Sequence, residues 1–155
     1  MTPKGYSVII TDTSYFSLLQ KLDALDLLHQ LFPVVITTPQ IASEFRYPLP
    51  DWVIIRPVVN VALPNEFLNF VDYGEASAIA LASEITFDFL IIDDGNARRF
   101  AEKLGMLVKG TIGLLVIAKS KGLIPALRPY FEQIQQTNFR IAKSLIDSVL
   151  RETGE

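Results

Sequence analysis

Apolar and polar positions fall along this chain in short blocks of two periods. Residues 6–10, Tyr-Ser-Val-Ile-Ile, form a β-branched run with no inside–outside alternation, as expected of a strand buried on both faces of a parallel sheet. Residues 33–37 repeat that pattern, and residues 87–92 give a third such run. Residues 52–56 are also strand-like, as an edge or a short extra element, and residues 106–108 predict a last short strand. Between them the spacing turns helical. Phe16, Leu18, Leu19, Leu22, Leu25, Leu27 and Leu28 recur at three- and four-residue steps, which predicts one helix, or two broken near residues 23–26. Thr38-Pro39 predicts a helix start running from Gln40 to about Phe45, with Pro tolerated in the first turn and Pro48 and Pro50 beyond. Residues 57–64 read as a connection and 65–71 as a short helix. An Ala-rich helix follows over 75–85, then another over 96–104 with Gly105 as its stop. Residues 110–113 lead into a helix over 114–121 ended by Gly122, and 125–136 and 142–151 give two more. Strands alternating with helices predict βαβ units around a mainly parallel sheet covered on both faces.

At 155 residues, half of them hydrophobic and a fifth charged, the chain predicts a single domain over 1–155 with a full core. A net charge of −3 argues against non-specific binding of nucleic acid through overall charge, yet leaves room for a local basic patch. There is no cysteine and one histidine, His29, which removes disulfides, thiolate zinc sites and His-rich sites. No apolar stretch reaches the roughly 20 residues of a membrane helix, and no signal peptide is apparent. The expectation is a soluble, cytoplasmic protein without membrane contact.

The candidate chemistry lies in acids at element boundaries. Asp12 closes the first strand, Glu44 sits in the short third helix, Glu75 opens the Ala-rich helix, and Asp93-Asp94 closes the third buried run. Each has an ordinary explanation. Asp12, Thr13 or Ser14 suits a helix N-cap. Glu44 suits a solvated position beside Arg46. Glu75 suits the positive end of a helix. One aspartate of the pair suits a turn or cap. Together, at the carboxyl ends where parallel sheets bind ligands, they predict an oxygen-rich pocket for a hard cation, Mg²⁺ or Mn²⁺.

At these residues the chain resembles the PIN-domain family of metal-dependent ribonucleases, which includes the toxins of VapBC-type toxin–antitoxin pairs. It is most similar to the branch DUF3368. Residues 8–14, 74–82, 90–99, 101–105, 110–115 and 138–142 carry the resemblance, which covers nearly the whole chain. It implies a three-layer α/β/α sandwich with a parallel sheet of about five strands. The family's first acid matches Asp12, its second Glu44, its third, commonly aspartate, Glu75, and its fourth Asp94, with Asp93 an alternative. The implied reaction is hydrolysis of an RNA phosphodiester. Asp12, Glu75 and Asp94 or Asp93 hold the metal, and Glu44 binds metal or orients the attacking water. Asn96 is a candidate ligand or substrate contact, Thr111 a candidate holder of water or phosphate. Arg98, Arg99, Lys103 and Lys109 are candidates to steer phosphates, or form a solvated helix face. A partner antitoxin and a homodimer are implied as well, with the leucines of 18–31 and the C-terminal helix as candidate exposed stripes. The competing readings are an inactive nucleic-acid- or protein-binding module and another metal-dependent phosphohydrolase.

Overall fold

The structure is a computed structural model that describes residues 7–45 and 47–155, Thr13 and Ser14 by backbone alone. The expected strand start at Tyr6, the expected partner Arg46 and capping by the side chains of Thr13 or Ser14 lie outside what is described.

Five strands form one all-parallel sheet in the order β3-β2-β1-β4-β5. They are β1 (Ser7–Ile10), β2 (Val34–Thr37), β3 (Val53–Ile55), β4 (Phe89–Ile91) and β5 (Val108–Lys109). β1 is central, and Val8, Ile9 and Ile10 are fully buried, which explains their unbroken apolar run. β3 is an edge, with Ile54 and Ile55 partly in solvent. The sheet is the middle layer of a three-layer α/β/α sandwich.

The helices fill the expected intervals with shifted ends. The leucine-rich stretch is a pair, α1 (Thr13–Lys21) and α2 (Leu25–Leu31), broken where Asp23 takes a positive φ of 54°. Its Leu18, Leu19, Leu22, Leu27, Leu28 and Leu31 are all buried, so this stretch is core and not an exposed dimerisation stripe. α3 is Pro39–Glu44, so it stops before Pro48 is reached. α4 (Leu63–Phe67) begins earlier than expected, with Pro64 in its first turn. α5 (Tyr73–Ala82) is buried along its length from Gly74 to Ala82. It packs on α3, α4 and β1, and its alanines permit that crowding. α6 is Gly95–Lys103, and Gly105 beyond it takes a φ of 84°. α7 (Thr111–Ser120) starts at Thr111, three residues ahead of the expected Leu114. α8 (Arg128–Gln135) and α9 (Lys143–Glu152) complete the chain. α9 buries Ile146 and Leu150 and leaves Leu145 47% exposed. Among the described residues no helix is long and apolar enough to cross a membrane.

The chain runs outward from β1 to β3, returns across the centre to β4, and continues to β5. Its direction reverses between β1 and β4, the place where open parallel sheets gather ligands at their carboxyl ends. α2 packs against β2, α5 against β1 and α6 against β5.

Candidate functional site

Ile10 of β1 pairs with Ile91 of β4, so two residues on, Asp12 and Asp93 leave the sheet on neighbouring strands at the reversal point. Buried threonines fix these strand ends. Thr11 Oγ1 donates to the Ile91 carbonyl at 2.8 Å, and Thr37 Oγ1 donates to the Ile10 carbonyl at 3.1 Å. The last carbonyls of β1 and β4 are thereby satisfied without water.

Helix termini supply the rest of the acids. Asp72 is the N-cap of α5, and its Oδ1 accepts from the Glu75 N–H at 2.9 Å. Asp94 is the N-cap of α6, and its Oδ2 accepts from the Ala97 N–H at 2.9 Å. The capping explanation of the Asp93-Asp94 pair therefore holds for Asp94. Asp93 turns elsewhere: it accepts from the Thr111 N–H at 2.8 Å and from Thr111 Oγ1 at 2.7 Å. Glu44 ends α3, whose start is tied to α5. Thr38 Oγ1 lies 2.7 Å from Ser77 Oγ and accepts from the Ile41 N–H at 3.3 Å, while Ser77 Oγ donates to the Gly74 carbonyl at 2.7 Å. This buried chain of hydroxyls sets the helix of Glu44 against the helix of Glu75.

The carboxylates act on one another. Glu75 is only 5% exposed. Its pKa is pushed up to about 7 by burial first, then by the charges of Asp72, Asp94 and Asp12, against the lowering effect of its backbone bond to Asp72. Among the described residues, the charges that act on Glu75 are those of three carboxylates. Glu44 is exposed as a residue, yet partial desolvation of its carboxyl raises its pKa, with Asp72 and Asp12 adding to the rise. Burial also raises Asp93. The two bonds from Thr111 and the Arg98 guanidinium oppose this, and Asp12 reinforces it. Asp12 is the charge common to all three effects.

Asp12, Glu44, Glu75, Asp93 and Asp94 are therefore brought to one end of the sheet. Asp72 joins them and was not among the expected acids. Its trace in the sequence is the Asp-x-x-Glu spacing of a helix start, which reads equally well as a plain cap. The set is not a closed shell: among the described residues, no three Asp, Glu or His side chains stand close enough to share a metal ion as they lie. Its donors are nevertheless all oxygen and all anionic, the chemistry that suits a hard divalent cation.

Asn96, Arg98 and Thr111 surround the acids in different ways. Asn96 Nδ2 donates to the Phe70 carbonyl at 2.6 Å, which ties α6 to the segment before α5. A recess of about 430 Å³ opens there, lined by Leu68, Phe70, Asp72, Glu75, Asp94 and Asn96. Both donors of Thr111 point at Asp93, so its hydroxyl proton already has an acceptor within the protein. Arg98 stands over Gly110, where an added Cβ would lie 2.8 Å from Asp93 Oδ1 and 3.0 Å from Arg98 Nη1. Lys109 Nζ sits 5.3 Å from the centre of the Phe89 ring.

The family model DUF3368, described as a PIN domain, matches residues 8–155. No curated protein and no solved structure matches the chain significantly.

Proposed function

Since the chain belongs to the PIN-domain family, whose fold is of the nuclease type, we propose that it is a ribonuclease hydrolysing RNA phosphodiesters with Mg²⁺ or Mn²⁺ at the acid cluster. The observation that supports this reading most is Glu75, a buried carboxyl on which, among the described residues, three carboxylates act. Such an arrangement is costly for a purely structural residue and is relieved by a cation.

On this reading Asp12, Glu75, Asp93 and Asp94 would hold the ion. When bound there, such an ion would lower the pKa of a water and offset negative charge on the phosphate. Glu44, at the solvent side of the cluster with its pKa already raised, accepts the proton of the attacking water. Asp72 fixes the first turn of α5 and so the placement of Glu75, and Thr111 orients Asp93. Arg98, beside Asp93, attracts the phosphate toward the acids.

The test is cleavage of an end-labelled single-stranded RNA with Mg²⁺ or Mn²⁺. Cleavage by the parent chain, lost in Asp12→Asn and Glu75→Gln, is the expected result. Undiminished cleavage by both variants would remove the acids from the reaction. A toxin role adds the expectation that expression arrests growth and that a co-expressed antitoxin restores it. A homodimer is checked by the mass in solution.

One observation favours a second reading, a binding module that keeps the fold without turnover: the acids do not stand as a closed metal shell. RNA bound tightly but left intact in both metals is the outcome specific to it.

A further inference from the structure

Charge changes sign across Asp93. On one side lie Asp12, Glu75 and Asp94. On the other, a cleft of about 410 Å³ is lined by Asp93, Arg98, Lys109, Gly110, Phe139 and Arg140. Three cations and one carboxylate line it, in a chain whose net charge is −3, and of the cations Arg98 acts on Asp93. Ile112 and Ile141 add apolar wall. The far side of the cleft is held in shape. Thr137 Oγ1 donates to the Ile134 carbonyl at 2.6 Å and accepts from the Phe139 N–H at 3.1 Å, which fixes the turn after α8 and presents the half-buried Phe139. Lys109 is held over Phe89, and Arg98 over Gly110.

We propose that this cleft binds one nucleotide unit of a single-stranded RNA beside the acid cluster, its base against Phe139 and its phosphate among Arg98, Lys109 and Arg140. The proposal rests on the ribonuclease reading for the identity of the strand. An aromatic side chain and three cations in one cleft match a base joined to a phosphate, since every base offers a π-face and every linkage a negative charge. The volume falls within the roughly 300–1,000 Å³ of small-ligand sites. Recognition of this kind tolerates sequence and excludes duplex, whose bases stay stacked.

The test is fluorescence anisotropy of a labelled ten-nucleotide single-stranded RNA with the full chain in EDTA, over a range of salt concentrations. Phe139→Ala is expected to weaken binding by about fivefold or more, from the loss of one stacked base. Arg140→Ala, at an exposed residue, is expected to weaken binding and to reduce the slope of log K against log salt by about 0.7. Circular dichroism and melting check that both variants fold. Parent-like affinity in a folded Arg140→Ala overturns the proposal. So does a chain that binds a mononucleotide but not the strand. RNA bound in this way without cleavage in Mg²⁺ or Mn²⁺ overturns the ribonuclease reading and leaves the cleft standing. Cleavage with both variants binding as the parent does the reverse.

Discussion

Glu75 holds its proton to about pH 7, whereas in the unfolded chain it releases it near the ordinary 4.5. Between those values the folded chain binds more protons than the unfolded one, so in the absence of metal the stability contributed here falls as pH rises and is lost above about 7. Glu75→Gln is therefore expected to raise the melting temperature at pH 8 in EDTA, by an amount equivalent to roughly 1–2 kcal/mol after solvent screening, and to change it little near pH 4.5. A scan at the two values checks both halves. The same proton competes with a cation, so calorimetry at pH 6 should record proton release as metal binds. Gly110 is the other sensitive position. A methyl there meets Asp93 Oδ1 at 2.8 Å, and Asp93 cannot swing aside without giving up both bonds from Thr111. Gly110→Ala is expected to cost about 1–3 kcal/mol in urea unfolding. Five of the six acids were legible in the sequence as charges at element ends. The opposed roles of Asp93 and Asp94 were not, because both lie between the end of β4 and the start of α6, and only the positions of Thr111 and the α6 amides decide which partner each meets.

Elements carry these residues with tolerances the sequence only partly conveys. The strands were readable because a fully buried strand must be apolar throughout, as Val8, Ile9 and Ile10 are. The Thr38-Pro39 start was readable because cap and first-turn chemistry is local. The leucine-rich pair could not be assigned to core or surface from periodicity, since a stripe at helical spacing looks the same whether it faces a sheet or a partner. The early start of α7 follows from Thr111, whose amide is taken by Asp93 from 18 residues away, a partner no local pattern reveals. The link between α3 and α5 gives a prediction at this scale. Thr38→Val keeps the volume but deprives the Ile41 N–H of its side-chain acceptor and Ser77 Oγ of one of its two partners. The expected loss is about 1–2 kcal/mol, read by chemical denaturation. Glu44 and Glu75 lose their common support in the same variant, so metal affinity should fall with it.

Across the whole molecule two carboxyls pull the pH profile in opposite directions. Glu155 accepts from Lys119 Nζ at 2.7 Å and from the Leu127 and Arg128 amides at 2.7 and 3.1 Å, joining α7, the start of α8 and the end of the chain. These bonds and the lysine hold its pKa down to about 2. Its contribution is present above about 4.5 and is lost as pH falls toward 2, the reverse of Glu75. The metal-free protein should then be most stable in mildly acidic buffer. Added Mg²⁺ or Mn²⁺ should raise the melting temperature more at pH 8 than at pH 5, following the ratio of free metal to its Kd, and Asp12→Asn should abolish the difference. The strand order also bears on time. β1 is made before its neighbour β4, which follows about 80 residues later, and Thr111 comes later still. A nascent chain released before Thr111 owns Asp12, Glu44, Asp72 and Glu75 without the bonds that orient Asp93. The acid cluster is thus completed only once residue 111 has been made, and copies terminated before it are built without the bonds that orient Asp93.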